Sequence, residues 1–424
     1  MSWLSIGFLW IIGAKPGVRR RERLRAACTD GGAVESVRQR RRRRVGVPKG
    51  VGHQNADWCA SLVKGSYAPG SGALAGKKDL VVLGIETSCD DTAAAVVRAD
   101  GTVLGDSVVS QHEIHQQWGG VVPNLAKEAH AAAIDGVVGK ALQKAEMNPE
   151  HVDAVAVTTG PGLEICLRIG FDAAKEFCET HEKPFVAVNH LEGHCVLARM
   201  LHRDLEYPFL VVLVSGGHCQ ILVAEGQGIY ALLGGTLDDA IGEAYDKTAR
   251  LLGLNVGGGG GPALEQLALN GDENAYDLPM PMRDKKNCNL SYAGLKNAVR
   301  LIAETDAGRR SEDIAASFQR VAIEHLIQKL RTAMNWCEER QPGRVKTMVV
   351  CGGVAANRRL RSKLTDVCSD FEWKLVVPPP RLCTDNGAMI AWAGIERIQR
   401  GILDDPRLLE VVSRWPLSTR LIFD

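Results

Sequence analysis

Two histidines four residues apart, in Asn189-His190-Leu191-Glu192-Gly193-His194, are the side chains of this chain best spaced for chemistry. Positions i and i+4 lie about 40° apart round a helix of ~100° per residue, so both imidazoles can reach one ion. A zinc protease needs Glu directly after the first His, and that position holds Leu191. Glu192 sits about 200° round the helix from His190, pointing away from any ion there, and is no general base. A third ligand must come from elsewhere. Asp385, in Cys383-Thr384-Asp385-Asn386-Gly387-Ala388 after the turn Pro378 to Pro380, offers a carboxylate. An Asp before an Ala-rich helix is equally suited to capping it, so on residue chemistry alone both roles stand.

The histidines follow an apolar run, Phe185 to Val188, and open a helix, which is where a strand hands over to a cleft. From Asp79 onward short β-rich runs alternate with longer helical stretches, the mark of an α/β architecture. Leu80 to Ile85 and Ala93 to Val97 read as strands joined by the polar turn Glu86 to Asp91. About 130 residues later the unit returns: Pro208 to Val214, the turn Ser215-Gly216-Gly217-His218, then Cys219 to Ala224. A third glycine turn, Gly352-Gly353-Val354-Ala355-Ala356-Asn357, follows the strand Val345 to Cys351 and opens a helix. Such turns expose backbone N–H groups to phosphate, although any one of them could be an ordinary hairpin. Three in one chain predict a nucleotide held between two related lobes. The run Gly257 to Gly261 before Pro262 joins two helical patterns and predicts an anion or ribose site at a helix start.

The length, 424 residues with 45% apolar content, is enough for two cores. A net charge of +1 hides a segregation: residues 1–78 carry 16 Lys and Arg against four acids, while the remainder has 35 basic and 46 acidic residues. The first segment, with Arg clusters at Arg19 to Arg25 and Arg38 to Arg44, reads as a disordered targeting presequence; a nuclear signal has similar composition. It predicts a mitochondrial matrix address, with a plastid as the alternative. The apolar stretch Trp3 to Ile12 is about half of the ~20 residues that span a bilayer, so no membrane anchor is expected. The twelve cysteines lack zinc-knuckle spacing and read as small hydrophobes in a reducing compartment.

Gly84-Ile85-Glu86-Thr87-Ser88-Cys89-Asp90-Asp91-Thr92, Gly119-Gly120-Val121-Val122-Pro123, Gly160-Pro161-Gly162-Leu163, His190 to His194, Val214-Ser215-Gly216-Gly217-His218, Asp246-Lys247-Thr248, Gly352 to Asn357 and Thr384-Asp385-Asn386 appear in that order. Over about residues 80–415 this series resembles the tRNA threonylcarbamoyladenosine transferases, once called sialoglycoprotein endopeptidases, in their organellar branch. The resemblance implies a duplicated actin-like ATPase or sugar-kinase fold, two lobes with a ligand cleft between them. The first lobe would run over 79–188, joined by a C-terminal helix over about 388–424, and the second over 189–387. The implied reaction moves a threonylcarbamoyl group from threonylcarbamoyl-AMP to the exocyclic amine of the adenosine 3′ of the anticodon, in tRNAs reading codons that begin with A. It implies one divalent ion, iron or zinc, on His190, His194 and Asp385. The adenylate would meet Leu213, Val214, Ser215, Gly216, Gly217, Asp246, Gly260, Gly261 and Asn357, with Asp246 on the ribose and Asn357 at the adenosine.

Two departures stand out. Archaeal and eukaryotic cytosolic relatives place a Tyr ligand where this chain has Leu213, and bacterial members carry an acid where it has Asn124. The acidic body needs local cations for tRNA; candidates are Arg283-Asp284-Lys285-Lys286 with Lys296, and Arg358, Arg359, Arg361 and Lys363. A homodimer is an assembly the sequence leaves open. The competing functions are a metalloprotease, disfavoured by Glu192, and a sugar kinase or ATPase, for which Asp90 and Asp91 lie in the first turn.

Overall fold

Each of the two recurring hairpins belongs to a larger recurring unit. The computed structural model describes residues 71–118, 120–254, 259–305, 308, 310–418 and 420–423. Most of the predicted presequence, together with Gly257 and Gly258 of the glycine run, therefore lies outside the described residues. The first five strands are β1 (Val81–Glu86), β2 (Asp91–Arg98), β3 (Val103–Ser110), β4 (Ala154–Gly160) and β5 (Phe185–Asn189). The second five are β6 (Phe209–Val214), β7 (Cys219–Gly226), β8 (Ile229–Gly235), β9 (Thr347–Cys351) and β10 (Lys374–Val376). The sheets run β3-β2-β1-β4-β5 and β8-β7-β6-β9-β10. In both, an antiparallel three-stranded meander is extended by two parallel strands, so the duplication covers a whole sheet. This is the two-lobed, actin-like α/β architecture.

The central strands β1 and β6 are buried along their whole length, and apolar but for Glu86 at the end of β1, because both faces are covered. On the first sheet α3 (Pro123–Lys144) and α4 (Glu164–His181) cover one face, with Ile134, Val137 and Phe171 in its core. The other face is covered by α11 (Gly387–Gln399), through Met389, Trp392 and Ile395. On the second sheet the larger core gathers α6 (Ile241–Leu251), α7 (Gly260–Ala268), α8 (Ala293–Thr305), α9 (Ser311–Arg340) and α10 (Arg358–Asp370). Burial of each large side chain in these layers contributes roughly 1.5–3 kcal/mol.

Helix α5 (His190–Leu201) lies between the layers. Val196, Leu197 and Met200 pack into the core beneath α11, while Leu191, Cys195 and Ala198 pack against the second sheet. Ten of its twelve residues are buried, so both lobes hold it. The start of α11 is fixed by close backbone approach. A Cβ at Gly84 would fall 2.2 Å from the Gly387 carbonyl oxygen, and one at Gly387 would fall 2.3 Å from the Ala95 nitrogen. Glycine at both positions lets α11 lie directly on β1 and β2, and so sets where Asp385, two residues upstream, must stand.

The chain ends differ from the sequence reading. α1 (Ser71–Ala75) belongs to the body: Leu74 packs on the first core, and the Lys77 ammonium lies 2.7 Å from Asp153. The C-terminal helix expected over 388–424 stops at Gln399, where Gly401 takes a positive φ of 74° and Pro406 and Pro416 follow. Beyond it the chain crosses both lobes, Trp415 entering the first lobe's core and Phe423 packing against the second's.

Candidate metal and nucleotide site

β5 ends at Asn189, whose side-chain oxygen caps α5 by accepting from the Leu191 and Glu192 amides at 2.9 and 3.3 Å. The cap places His190 and His194 on the helix face turned toward Asp385. The Asp385 Oδ1 is 3.0 Å from His194 Nε2 and 3.6 Å from His190 Nε2. One ligand atom from each residue falls within 4.8 Å of the others, the spacing of donors that share an ion. The helix-cap role weighed for Asp385 belongs to its neighbour: Asn386 accepts from the Met389 amide at 2.9 Å and caps α11, leaving Asp385 to face the histidines.

Glu86 was not singled out in the sequence. At the end of β1 and fully buried, it receives His190 Nδ1 at 3.0 Å, Thr158 Oγ1 at 2.5 Å and the Ser88 amide at 2.5 Å. Burial alone would lower the pKa of His190, yet the Glu86 and Asp385 carboxylates outweigh it and raise it to about 9. Burial opposes ionisation of Asp385 too, and the two imidazoles overcome it, holding its carboxyl well below the usual range. Two carboxylates thus demand positive charge at the spot where the three donors converge. A divalent ion satisfies that demand, and a carboxylate-oriented imidazole is how such ligands are usually held. His218, also missed, faces the group; burial and then the positive fields of His190 and His194 lower its pKa to about 4.

Glu192, by contrast, is buried on the far side of α5, its carboxylate 3.3 Å from the Tyr230 hydroxyl. Burial raises its pKa, and it has no route to the ion site, which removes the geometry a protease would need.

The cleft has two chambers. One, of about 420 Å³, joins His190 and Asp385 to the first turn, Ser88 to Asp91, and to Ser215-Gly216-Gly217-His218. The other, of about 270 Å³, is walled by Tyr245, Pro262 and Val354, with Asp246, Gly261 and Asn357 on its polar side. His112, which opens the short helix α2 (His112–Gln116), lines both, as do Gly216, Gly353 and Thr384. Asp246 Oδ1 accepts from the Gly260 amide at 2.8 Å, so one carboxylate ties α6 to the start of α7. A Cβ on Gly260 would fall 2.7 Å from the Asp246 Cα, which explains the glycine.

Leu213 and Val214 differ from expectation. Both side chains are fully buried, in cores on opposite faces of the second sheet, and what they set is the strand end that carries the next turn. Asn357 lines the second chamber, but its oxygen caps α10 at the Leu360 amide, 2.8 Å, and its nitrogen donates to Gln319 at 2.9 Å. Its side chain holds the Gly352–Asn357 turn against α9 and α10 and presents no free amide. The cations Arg359 and Lys363 are paired with Glu273 and Asp366, Lys296 with Asp239, and Arg361 with the Ala355 and Pro378 carbonyls.

HypF of T. kodakarensis, 14% identical with a TM-score of 0.50, covers 76% of this chain over 48% of its own and supports the fold alone. A mitochondrial protein of Arabidopsis thaliana named a probable tRNA N6-adenosine threonylcarbamoyltransferase is 47% identical over 362 residues, 80% of this chain and 75% of the relative. The protein of that name from Erythrobacter litoralis (strain HTCC2594) is 45% identical over 338 residues, 80% of this chain and 96% of its own. The profile of the family described as tRNA N6-adenosine threonylcarbamoyltransferase matches residues 102–392, a span that contains both chambers' helices and all three converging donors. With the family profile matching more than half of the chain and relatives of that name 45–47% identical over 80% of it, the chain belongs to the tRNA N6-adenosine threonylcarbamoyltransferase family.

Proposed function

We propose that the cleft transfers a threonylcarbamoyl group from threonylcarbamoyl-AMP to the exocyclic amine of the adenosine 3′ of the anticodon, in tRNAs reading codons that begin with A. The observation that carries this reading is the joining of an apolar, nucleoside-sized chamber to the chamber lined by His190 and Asp385, through Gly216, Gly353 and Thr384. Adenine fits the walls of Tyr245, Pro262 and Val354, and the ribose hydroxyls fall to Asp246. The phosphate then lies along the backbone of Ser215-Gly216-Gly217, and the carbamoyl carbon reaches the far chamber.

His190, His194 and Asp385 would hold one divalent ion, and imidazole with carboxylate suits iron or zinc. When bound, the ion would offset charge developing on the carbamoyl oxygen or phosphate. The protein's own share is placement. Glu86 fixes the His190 ring through Nδ1, Asn189 and Asn386 fix the two helices, and the narrow junction holds the anhydride in one orientation for the attacking amine. The basic, acid-poor N-terminus and the mitochondrial relative support a mitochondrial matrix location.

Activation of the threonylcarbamoyl group has occurred before the adenylate arrives, so transfer needs no ATP. Purified, metal-loaded protein given threonylcarbamoyl-AMP and unmodified tRNA should release one AMP for each modified nucleoside. Modification only on adding ATP, or catalytic ADP formation from ATP and a sugar, would replace this reading with a kinase.

A further inference from the structure

The body of the protein is acidic, and of the cations weighed for tRNA, Arg359, Lys363 and Lys296 sit in ion pairs and Arg361 on carbonyls, while Arg358 stands alone as a single exposed cation. One short segment differs. Between α7 and α8 the turn Met282 to Lys286 carries Arg283, Lys285 and Lys286, all exposed, with Asp284 as its sole acid. None of the three cations enters an ion pair among the described residues.

This turn is pinned from beneath by α9. Lys329 is fully buried, and its ammonium donates to the Met282 carbonyl at 3.1 Å and the Lys285 carbonyl at 2.7 Å. Gln328 donates to the Arg283 carbonyl at 2.9 Å. Met282 itself is held at a φ of 47°, a backbone state that costs free energy in a residue with a side chain. A buried ammonium paired only with carbonyls is expensive, and burial lowers its pKa. The outcome is specific: three carbonyl oxygens of the turn face inward, and the outer surface offers cationic side chains with those acceptors withdrawn. The pinning fixes the backbone of the turn, so all three cationic residues stay on one short surface segment.

The turn also has a fixed relation to the cleft. Three residues past Lys286, within about 11 Å along an extended chain, Asn289 lines a cavity of about 330 Å³ with Gly217, His218, Leu237 and Phe423. Leu290 then joins the second sheet's edge, exchanging backbone hydrogen bonds with Gly235 and Leu237 at 3.0 and 2.9 Å. Gly217 and His218 belong to the metal chamber as well. A surface path thus leads from the reacting centre, past Asn289, to the cationic turn.

We propose that the Arg283–Lys286 turn binds backbone phosphates of the tRNA strand flanking the adenosine held in the cleft. The proposal rests on the transferase reading above and names the element that supplies RNA affinity to an acidic protein. Phosphate contacts add affinity without sequence information, as suits an enzyme that modifies many tRNAs at one position.

The test is steady-state kinetics of the full-length protein with all three cations replaced, Arg283→Gln, Lys285→Gln and Lys286→Gln. KM for tRNA should rise about tenfold or more near physiological salt, with kcat and the KM for threonylcarbamoyl-AMP unchanged. The slope of log kcat/KM against log salt should become shallower by about 2, the value for three lost contacts on a single strand. A control with equal charge removed elsewhere, Lys140→Gln, Arg340→Gln and Arg344→Gln, should keep the wild-type KM. The triple Lys or Arg exchange at 283, 285 and 286 should restore it. An unchanged KM and salt slope in the first variant, while the wild type modifies tRNA normally, overturns the proposal and leaves the transferase reading standing. A wild type that transfers nothing to tRNA overturns both.

Discussion

Replacing His190 and His194 together by Ala should empty the metal site and lower transfer about a thousandfold or more. Two of the three converging donors disappear, and Asp385 alone cannot retain a divalent ion against water. Loss of one preorganised stabilising group typically costs ~10²–10³ in rate, so loss of the centre that aligns the anhydride belongs at or beyond the upper end. The sequence placed the histidines at a cleft and not in a core, but they are only 7% and 2% exposed, so truncation also leaves Glu86 and Asp385 short of partners. A stability loss of about 1–3 kcal/mol should therefore accompany the activity loss, visible as a shift of several degrees in Tm. Metal content, Tm and single-turnover transfer should be measured on the same preparation. A double variant that keeps full metal occupancy would remove these residues as ligands.

The second large effect is expected from a residue that touches no substrate. Glu86→Gln keeps the side-chain volume and removes the charge that orients His190. Thr158 Oγ1, the Ser88 amide and His190 Nδ1 all address this carboxylate, which as an anion accepts from each. An amide turns one of those positions into a donor, and the ring loses its fixed direction. Metal affinity should fall about 10–100-fold, while kcat at saturating metal recovers to within a few-fold of wild type. Metal titration followed by transfer at each occupancy separates the two quantities. Wild-type affinity in Glu86→Gln would mean that the charge of Glu86 is not what orients the imidazole, leaving packing and the Ser88 hydroxyl, 3.2 Å from Nδ1, to hold it.

Why Glu86 was invisible in the sequence follows from how it is built. It stands among polar residues, so it reads as part of a turn, whereas it is the last residue of a fully buried strand. Its burial is decided by Thr158 on β4, 72 positions away, and no local pattern carries that information. The histidine pair was legible because one helix supplies both members. Asp385 was legible only as one of two alternatives, and Asn386 resolved the matter by taking the cap. The duplicated hairpins were readable from apolar runs closed by polar turns. Their third strands were not: β3 has exposed Val108 and Val109 at the sheet edge, and its pattern of burial matches neither a core strand nor a helix. The family resemblance implied a ligand role for Asn357, but the same position begins α10, and the backbone takes its side-chain oxygen. The cationic candidates were equally plausible in sequence; ion pairs hold Arg359, Lys363 and Lys296 and carbonyls hold Arg361, while Arg358 is exposed and, like the cations of the Arg283–Lys286 turn, in no ion pair among the described residues.

The position of α5 between the two lobes bears on how the sequence can drift. A surface helix alternates intolerant and permissive positions with a rhythm of about 3.6 residues, because one stripe faces water. α5 has no such stripe. One side packs under α11, the opposite side packs on the second sheet, and the remainder holds the ion site or the Glu192–Tyr230 contact. Even Gly193 is constrained, since a Cβ there would lie 3.0 Å from the Ile390 side chain. Saturation mutagenesis across residues 190–201 should accordingly yield a flat, uniformly intolerant profile, broken only at the half-exposed Arg199 and Leu201, where a helical periodicity would ordinarily be found.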